Sequence, residues 1–121
     1  MNNIEKISNV LKVLGDVNRF KIVLMLKKRK MCVCEIVEML PLAFSTISAH
    51  LRLLLSSDIL QREKEGKWVI YKLGEDPLIS ELMDFLLDKI PDVEKMELYN
   101  RLKEINRDIC SLKLKEKRSR K

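Results

Sequence analysis

The apolar period of this chain turns from helical to strand-like near residue 58, and that change governs what it can fold into. Before it, apolar residues recur at helical spacing, beginning with Ile4, Ile7, Val10, Leu11 and Leu14. Gly15 closes that helix. Asp16 caps a second, predicted to reach about Lys28 with Phe20, Val23, Leu24 and Leu26 on or near its buried side. A third is predicted over 34–40, with Ile36, Val37 and Leu40 inward and Pro41 as its stop. A fourth starts near Phe44 and ends near Ser57. After the change, residues 59–64 and 67–73 carry strand chemistry, notably Trp68-Val69-Ile70-Tyr71, and meet at Glu65-Gly66. Asp76-Pro77 then restarts a helix with a cap and a proline at its first position. With only three glycines and three prolines in 121 residues, a turn-rich sandwich or barrel is excluded.

The predicted order is therefore mostly helical with a small β-hairpin, the order of a winged helix-turn-helix. Leu78, Ile79, Leu82, Met83, Phe85, Leu86, Leu87 and Ile90 cover more of the fifth helix than one small domain can bury. Pro91 interrupts, and Leu98, Leu102, Ile105 and Ile109 form a narrower stripe on a last helix. The surplus predicts a homodimer joined through the N- and C-terminal helices. The expected layout is one DNA-binding and dimerisation domain over 1–110 and a basic, disordered tail over 111–121.

Charge gives the first functional reading. Residues 1–75 carry 13 basic and 8 acidic side chains, 76–109 carry 5 and 9, and 110–121 carry 6 and 1. A basic body beside an acidic helical segment predicts one face for a polyanion and another for a different contact. The tail is either a solubilising end or an auxiliary phosphate contact. No apolar run is long enough to span a membrane, and the N-terminus lacks a signal-peptide layout, which places the chain in the cytoplasm. One histidine, no glycine-rich phosphate loop and no nucleophile–base spacing argue against an enzyme.

The helix-turn-helix falls over 35–57. On its second helix Ile47, Leu51, Leu54 and Leu55 share one face, and Ser45, Ser48, Ala49 and Arg52 share the opposite one. Short side chains with one arginine let that face enter a major groove. Arg52 can grip guanine or phosphate, while Ser45, Thr46 and Ser48 offer hydroxyls to either. Arg62, Lys64 and Lys67 flank the hairpin tip, where a wing meets the sugar-phosphate backbone. His50 lies between the two faces, as a DNA-side residue or, preferably, in a packing or hydrogen-bonding role. Trp68 and Tyr71 are read as core rather than base-stacking residues, and the basic run 27–30 as solvated loop ends.

Four stretches carry a resemblance. Leu11-Lys12-Val13-Leu14-Gly15-Asp16-Val17-Asn18-Arg19-Phe20-Lys21-Ile22, Met31-Cys32-Val33-Cys34-Glu35-Ile36, Ser45-Thr46-Ile47-Ser48-Ala49-His50-Leu51 and the wing Glu65-Gly66-Lys67-Trp68-Val69-Ile70-Tyr71 resemble the ArsR/SmtB family of winged-helix metalloregulatory repressors. The likeness spans roughly residues 4–75. It implies a dimer that sits on double-stranded operator DNA with dyad symmetry and leaves on binding its inducer. Among the departures, Ala43 stands where a capping serine is frequent and Ala49 where the family often has a basic or polar residue.

Three cysteines, an odd number in a cytoplasmic chain, make no disulfide framework and are expected to be reduced. Cys32 and Cys34 would lie about 200° apart on a regular helix, but in an extended segment they point the same way. Placed where the chain enters the third helix, they can converge, with helix-end charge favouring thiolate. The resemblance to the arsenic-sensing branch implies an inducer bound by the Cys-Val-Cys pair and a third cysteine three residues on, which is Val37 here. Cys110 is the replacement candidate. A trithiolate of Cys32, Cys34 and Cys110 suits As(III) or Sb(III), and Cd or Pb remains open. Tetrahedral zinc would need a fourth ligand. The competing reading is a thiol redox or persulfide sensor in which Cys32 or Cys34 bridges to Cys110.

Overall fold

The structure, a computed structural model, describes residues 3–105. The chain runs α1 (Asn3–Leu14), α2 (Val17–Lys28), β1 (Met31–Cys32), α3 (Val33–Met39), α4 (Phe44–Ser56), β2 (Leu60–Glu65), β3 (Trp68–Leu73), α5 (Pro77–Asp88) and α6 (Asp92–Lys103). It is a winged helix-turn-helix, with six helices among the described residues and a three-stranded antiparallel sheet in the order β1-β3-β2.

Helix α2 is the core. Ile22, Val23, Leu24, Met25 and Leu26 are all buried, a continuous run that no one-sided stripe can produce. The helix must be covered on every side, and α1, α4, α5, α6 and β3 all pack on it. On α4 the inward face is Ile47, Leu51 and Leu54, fully buried, with Leu55 packed beside them. Tyr71 is buried and Trp68 packs against the core, so both belong to the hydrophobic interior.

Four features depart from the sequence reading. Met31 and Cys32 form a strand, paired with Tyr71 and Ile70 of β3, so the wing sheet has a third member. Helix α3 accordingly starts at Val33, one residue before the predicted start. Helix α6 ends at Lys103, which leaves Ile105 past its last turn, while Ile109 lies outside the described residues. The apolar spacing of α1 is split: Val10, Val13 and Leu14 are buried, whereas Ile4 is 81% exposed and Ile7 and Leu11 also face outward. Phe85 of α5 is 61% exposed and Val93 of α6 is 71% exposed. The predicted tail over 111–121 also lies outside the described residues.

Two glycines are fixed by geometry. In the wing, Glu65 pairs with Trp68 across a two-residue loop whose first member, Gly66, has φ +61°, the left-handed region that strains an L side chain. Gly74 follows β3 and donates its N–H to the Ile59 carbonyl at 2.8 Å. A Cβ at Gly74 would stand 2.6 Å from the Asp58 carbonyl oxygen, whereas one at Gly66 would meet nothing within 4 Å. Gly74→Ala is expected to lower the unfolding free energy by about 1–3 kcal/mol through the clash. Gly66→Ala should lower it by about 1 kcal/mol, through φ alone. Urea denaturation of the two variants checks this, and a larger loss at Gly66 would contradict the close approach at Gly74.

Candidate nucleic-acid interface and thiol site

The reading helix α4 is held by its buried face, which turns Ser45, Thr46, Ala49 and Arg52 to solvent, with Ser48 half-buried beside them. Ala43 is the N-cap and offers no side-chain hydrogen bond. The Ala43 carbonyl instead accepts the N–H groups of Thr46 and Ile47, both at 3.1 Å. Arg62, on β2, faces the same side. An open concavity between helix and wing is lined by Ala49, Arg52, Leu53, Leu55, Ser56 and Arg62. Two arginines from different elements thus border one channel. Lys64 and Lys67 are exposed at the wing tip, and the Lys67 ammonium lies 5.0 Å from the centre of the Trp68 ring.

Ion pairing sorts the remaining cations. Lys6 is held by Asp76, Lys27 by Asp84, Arg29 by Glu35, Lys30 by Glu63 and Glu65, and Lys72 by Glu63. Lys28 stacks on Tyr99 instead. The basic run 27–30 is thereby engaged within the chain, although Lys28 and Lys30 remain exposed. Among the described residues, Arg52, Arg62, Lys64 and Lys67 make no ion pair with an acidic side chain.

His50 is turned away from that channel. Its Nδ1 lies 3.3 Å from Arg19 Nη1 and its Nε2 lies 3.9 Å from Asp16 Oδ1. Asp16 Oδ1 also accepts the backbone N–H groups of Asn18 at 2.9 Å and Arg19 at 3.1 Å, and Arg19 Nε donates to the Val13 carbonyl at 2.6 Å. One carboxylate thus caps α2 while its neighbours fasten α4 to the α1–α2 corner. The sequence reading saw Asp16 as a cap but missed Arg19 as the strut.

The thiols converge. Cys32 is the N-cap of α3, with extended backbone at φ −81° and ψ 163°, and Cys34 lies in the first turn. Their Cα atoms are 5.5 Å apart, within the usual disulfide span, and their sulfurs are joined as a disulfide. The pair is thus joined where three reduced thiols were expected. Cys110 lies outside the described residues, and among the described residues no three His, Cys, Asp or Glu side chains gather as a metal site. Both cysteines are buried.

Sequence reasoning also missed Glu35, the buried charged residue of the described chain, at 3% exposure. Its Oε1 accepts the Cys32 N–H at 3.0 Å and its Oε2 accepts from Arg29 Nη1 at 2.9 Å. The signal was present as an acid three residues after the N-cap, the carboxylate half of a capping box.

A model of the bacterial regulatory protein, arsR family, matches residues 16–62, a span that includes the Asp16 cap, the thiol pair, the helix-turn-helix and Arg62. An arsenical resistance operon repressor of Escherichia coli is 34% identical over 101 residues, covering 83% of this chain and 85% of its own. The chain belongs to the ArsR family. This is a family of transcriptional regulators rather than enzymes. A cadmium resistance transcriptional regulatory protein CadC homolog of Staphylococcus aureus is 37% identical over 71 residues, 58% of this chain and 59% of its own. Among solved structures, HlyU from Vibrio cholerae superposes with a TM-score of 0.66 at 27% identity, over 70% of this chain and 91% of that one. The homodimeric winged helix-turn-helix domain Mb0332 from Mycobacterium bovis gives 0.62 at 25% identity, over 69% and 77%. The ArsR-family fold thus occurs as a homodimer in a relative.

The Asp16 carboxyl is held below the usual carboxylate range, first by the N–H of Arg19, then by the N–H of Asn18 and the charges of Arg19 and His50, against an opposing effect of burial. A depressed carboxyl stabilises the fold above its unfolded value, about 3.9. That stability is lost as pH falls through the lower folded value. Asp16→Ala is expected to lower stability by about 1 kcal/mol near neutrality, with the gap to the parent shrinking below the carboxylate range. Urea unfolding at stepped pH measures it; a gap that stays constant into acid would rule out the ionised cap.

Proposed function

We propose that this chain is a dimeric operator-binding repressor released from DNA by a soft thiophilic ion, As(III) or Sb(III), held by the thiolates of Cys32, Cys34 and Cys110. The observation that carries the reading is the convergence of Cys32 and Cys34 at the entrance to the helix-turn-helix. On reduction the pair presents two adjacent sulfurs, and a third thiolate completes the pyramidal set that As(III) favours. Cys110 is the remaining cysteine of the chain. It stands eight residues beyond Leu102, in the last turn of α6, which packs near α3 through Arg101 and the Glu38 carbonyl at 3.5 Å. Cd or Pb fits the same donors. The relatives named for arsenical and cadmium resistance support a soft-metal inducer.

The DNA contact is made by Ser45, Thr46, Ser48, Ala49 and Arg52 in the major groove and by Arg62, Lys64 and Lys67 on the backbone, with His50 positioning the helix. The dimer forms over the outward apolar residues of α1, α5 and α6, and the domain extends to residue 110. The protein acts in the cytoplasm, where the operator is. A second reading is favoured by the sulfur–sulfur bond itself: oxidation of Cys32 and Cys34 to the disulfide, rather than metal, triggers release.

Fluorescence anisotropy of a labelled fragment from upstream of the gene, with reduced protein and titrated arsenite, separates the two. Release near one equivalent per subunit supports the ion; release only by oxidant, reversed by reductant, supports the redox reading. Cys110→Ser should abolish the arsenite response, and a parental response would remove Cys110 from the site. Arg62→Ala should weaken binding equally across DNA sequences and lower the salt slope by about 0.9. Arg52→Ala, if the guanidinium reads guanine, loses about 1–3 kcal/mol on the operator and relaxes preference at one position.

A further inference from the structure

We propose that the pair formed by buried Glu35 and half-buried Arg29 is the link through which the Cys32–Cys34 site acts on the carboxyl end of α6. This rests on the thiol pair being the sensing site. Glu35 joins two partners that are otherwise separate. One oxygen receives the Cys32 N–H at 3.0 Å and the other receives Arg29 Nη1 at 2.9 Å. The second nitrogen of the same guanidinium, Nη2, donates to the Leu102 carbonyl at 3.2 Å, and Nη1 also reaches the Lys30 carbonyl at 3.3 Å. Leu102 is buried and belongs to the last turn of α6, and its carbonyl also accepts the Ile105 N–H at 3.2 Å, so the guanidinium is a second donor on the oxygen that closes the helix. The path from the N–H of a sensing cysteine to the end of α6 is therefore two side chains long.

The chemistry of the path makes it responsive. A buried carboxylate in low dielectric holds its donors strongly and tolerates their loss poorly. Moving the two sulfurs apart, whether to share an ion or to break their bond, must be absorbed by the backbone between them. Cys32 is the extended residue at that joint, and its N–H is fixed on Glu35. A shift there turns the carboxylate, and the planar guanidinium opposite it cannot turn with Glu35 and keep Leu102. Release or retention of the Leu102 carbonyl then sets where the end of α6 lies, and with it the chain that leads to Cys110. Arg29 and Glu35 are positioning residues in this scheme; neither is a ligand nor a DNA contact.

Arg29→Lys and Glu35→Gln test it, with three measurements on the full-length reduced protein. These are arsenite stoichiometry by thiol-reagent competition, operator affinity without arsenite, and the ratio of operator affinities without and with saturating arsenite. A lysine reaches Glu35 or Leu102 but not both, and the glutamine keeps the shape without the charge. Both variants are expected to keep parental stoichiometry and parental arsenite-free operator affinity while the ratio falls from tenfold or more to below threefold. Amide hydrogen exchange in the last turn of α6 should rise with arsenite in the parent and stay level in Arg29→Lys. A parental ratio in the two variants overturns the link. If either variant fails to fold, the exchange response of the parent decides: no arsenite-dependent change at α6 overturns it as well. If the parent itself shows neither arsenite nor oxidant release, the proposed sensing role of the thiols fails first, and the link falls with it.

Discussion

Everything in this fold leans on helix α2. A twelve-residue helix with five consecutive buried residues at 22–26 has no solvent face over its middle turns, so each neighbour is recruited to cover a part of it. At about 25 cal/mol per Å² of apolar surface, a fully buried Val, Leu, Ile or Met side chain is worth roughly 1.5–3 kcal/mol, and no other element concentrates as many. The reading helix inherits its rigidity from this arrangement. Its inner face packs into the shared core, and its outer side is tied back to the N-terminus of α2 through His50, Arg19 and Asp16. The solvent-facing side chains of α4 are presented by a helix whose own rotation is fixed from behind.

Where that support was local in sequence, it was legible. The caps at Asp16 and Asp76, the stop at Pro41, the two faces of α4 and the β-branched hairpin follow from spacing and turn chemistry, and the structure has them within a residue or two. The third strand was not legible because two residues, Met31 and Cys32, are too few to show alternation, and their partner lies some forty positions away on β3. The end of α6 was overrun because Ile105 continues the apolar spacing after the backbone has left the helix. Arg29 looked like one of four interchangeable cations, since nothing adjacent in sequence marks it as the one that meets a buried acid. Glu35 was hidden for the complementary reason: its neighbours Cys34 and Ile36 are core residues, and an acid between them reads as an outward step of the helix.

The same distinction orders the electrostatics. Cations at residues 6, 27, 29, 30, 72 and 95 are paired within the chain, so the number of basic residues overstates what DNA can feel. Arg52, Arg62, Lys64 and Lys67, on α4 and the wing, make no ion pair with an acidic side chain among the described residues. Charge paired inside a molecule is largely neutral to a polyanion beyond a Debye length of about 8–10 Å, so the local set, not the total, governs orientation on the duplex.

The position of the thiol pair gives it reach out of proportion to its size. Cys32 is at once a strand residue, paired with Ile70 in the sheet that forms the wing, and the N-cap of the first helix of the helix-turn-helix. On the proposed function, a change at its backbone would act on the wing and the helix-turn-helix together, and on α6 through Glu35 and Arg29. Tenfold release from an operator requires only about 1.4 kcal/mol of coupling, close to the net worth of a single hydrogen bond, about 0.5–1.5 kcal/mol. On the proposed function, a sensor at a joint shared by three elements would need no large motion: the loss or shift of one backbone bond at Cys32 is of the size that would misalign two reading heads on a dyad operator.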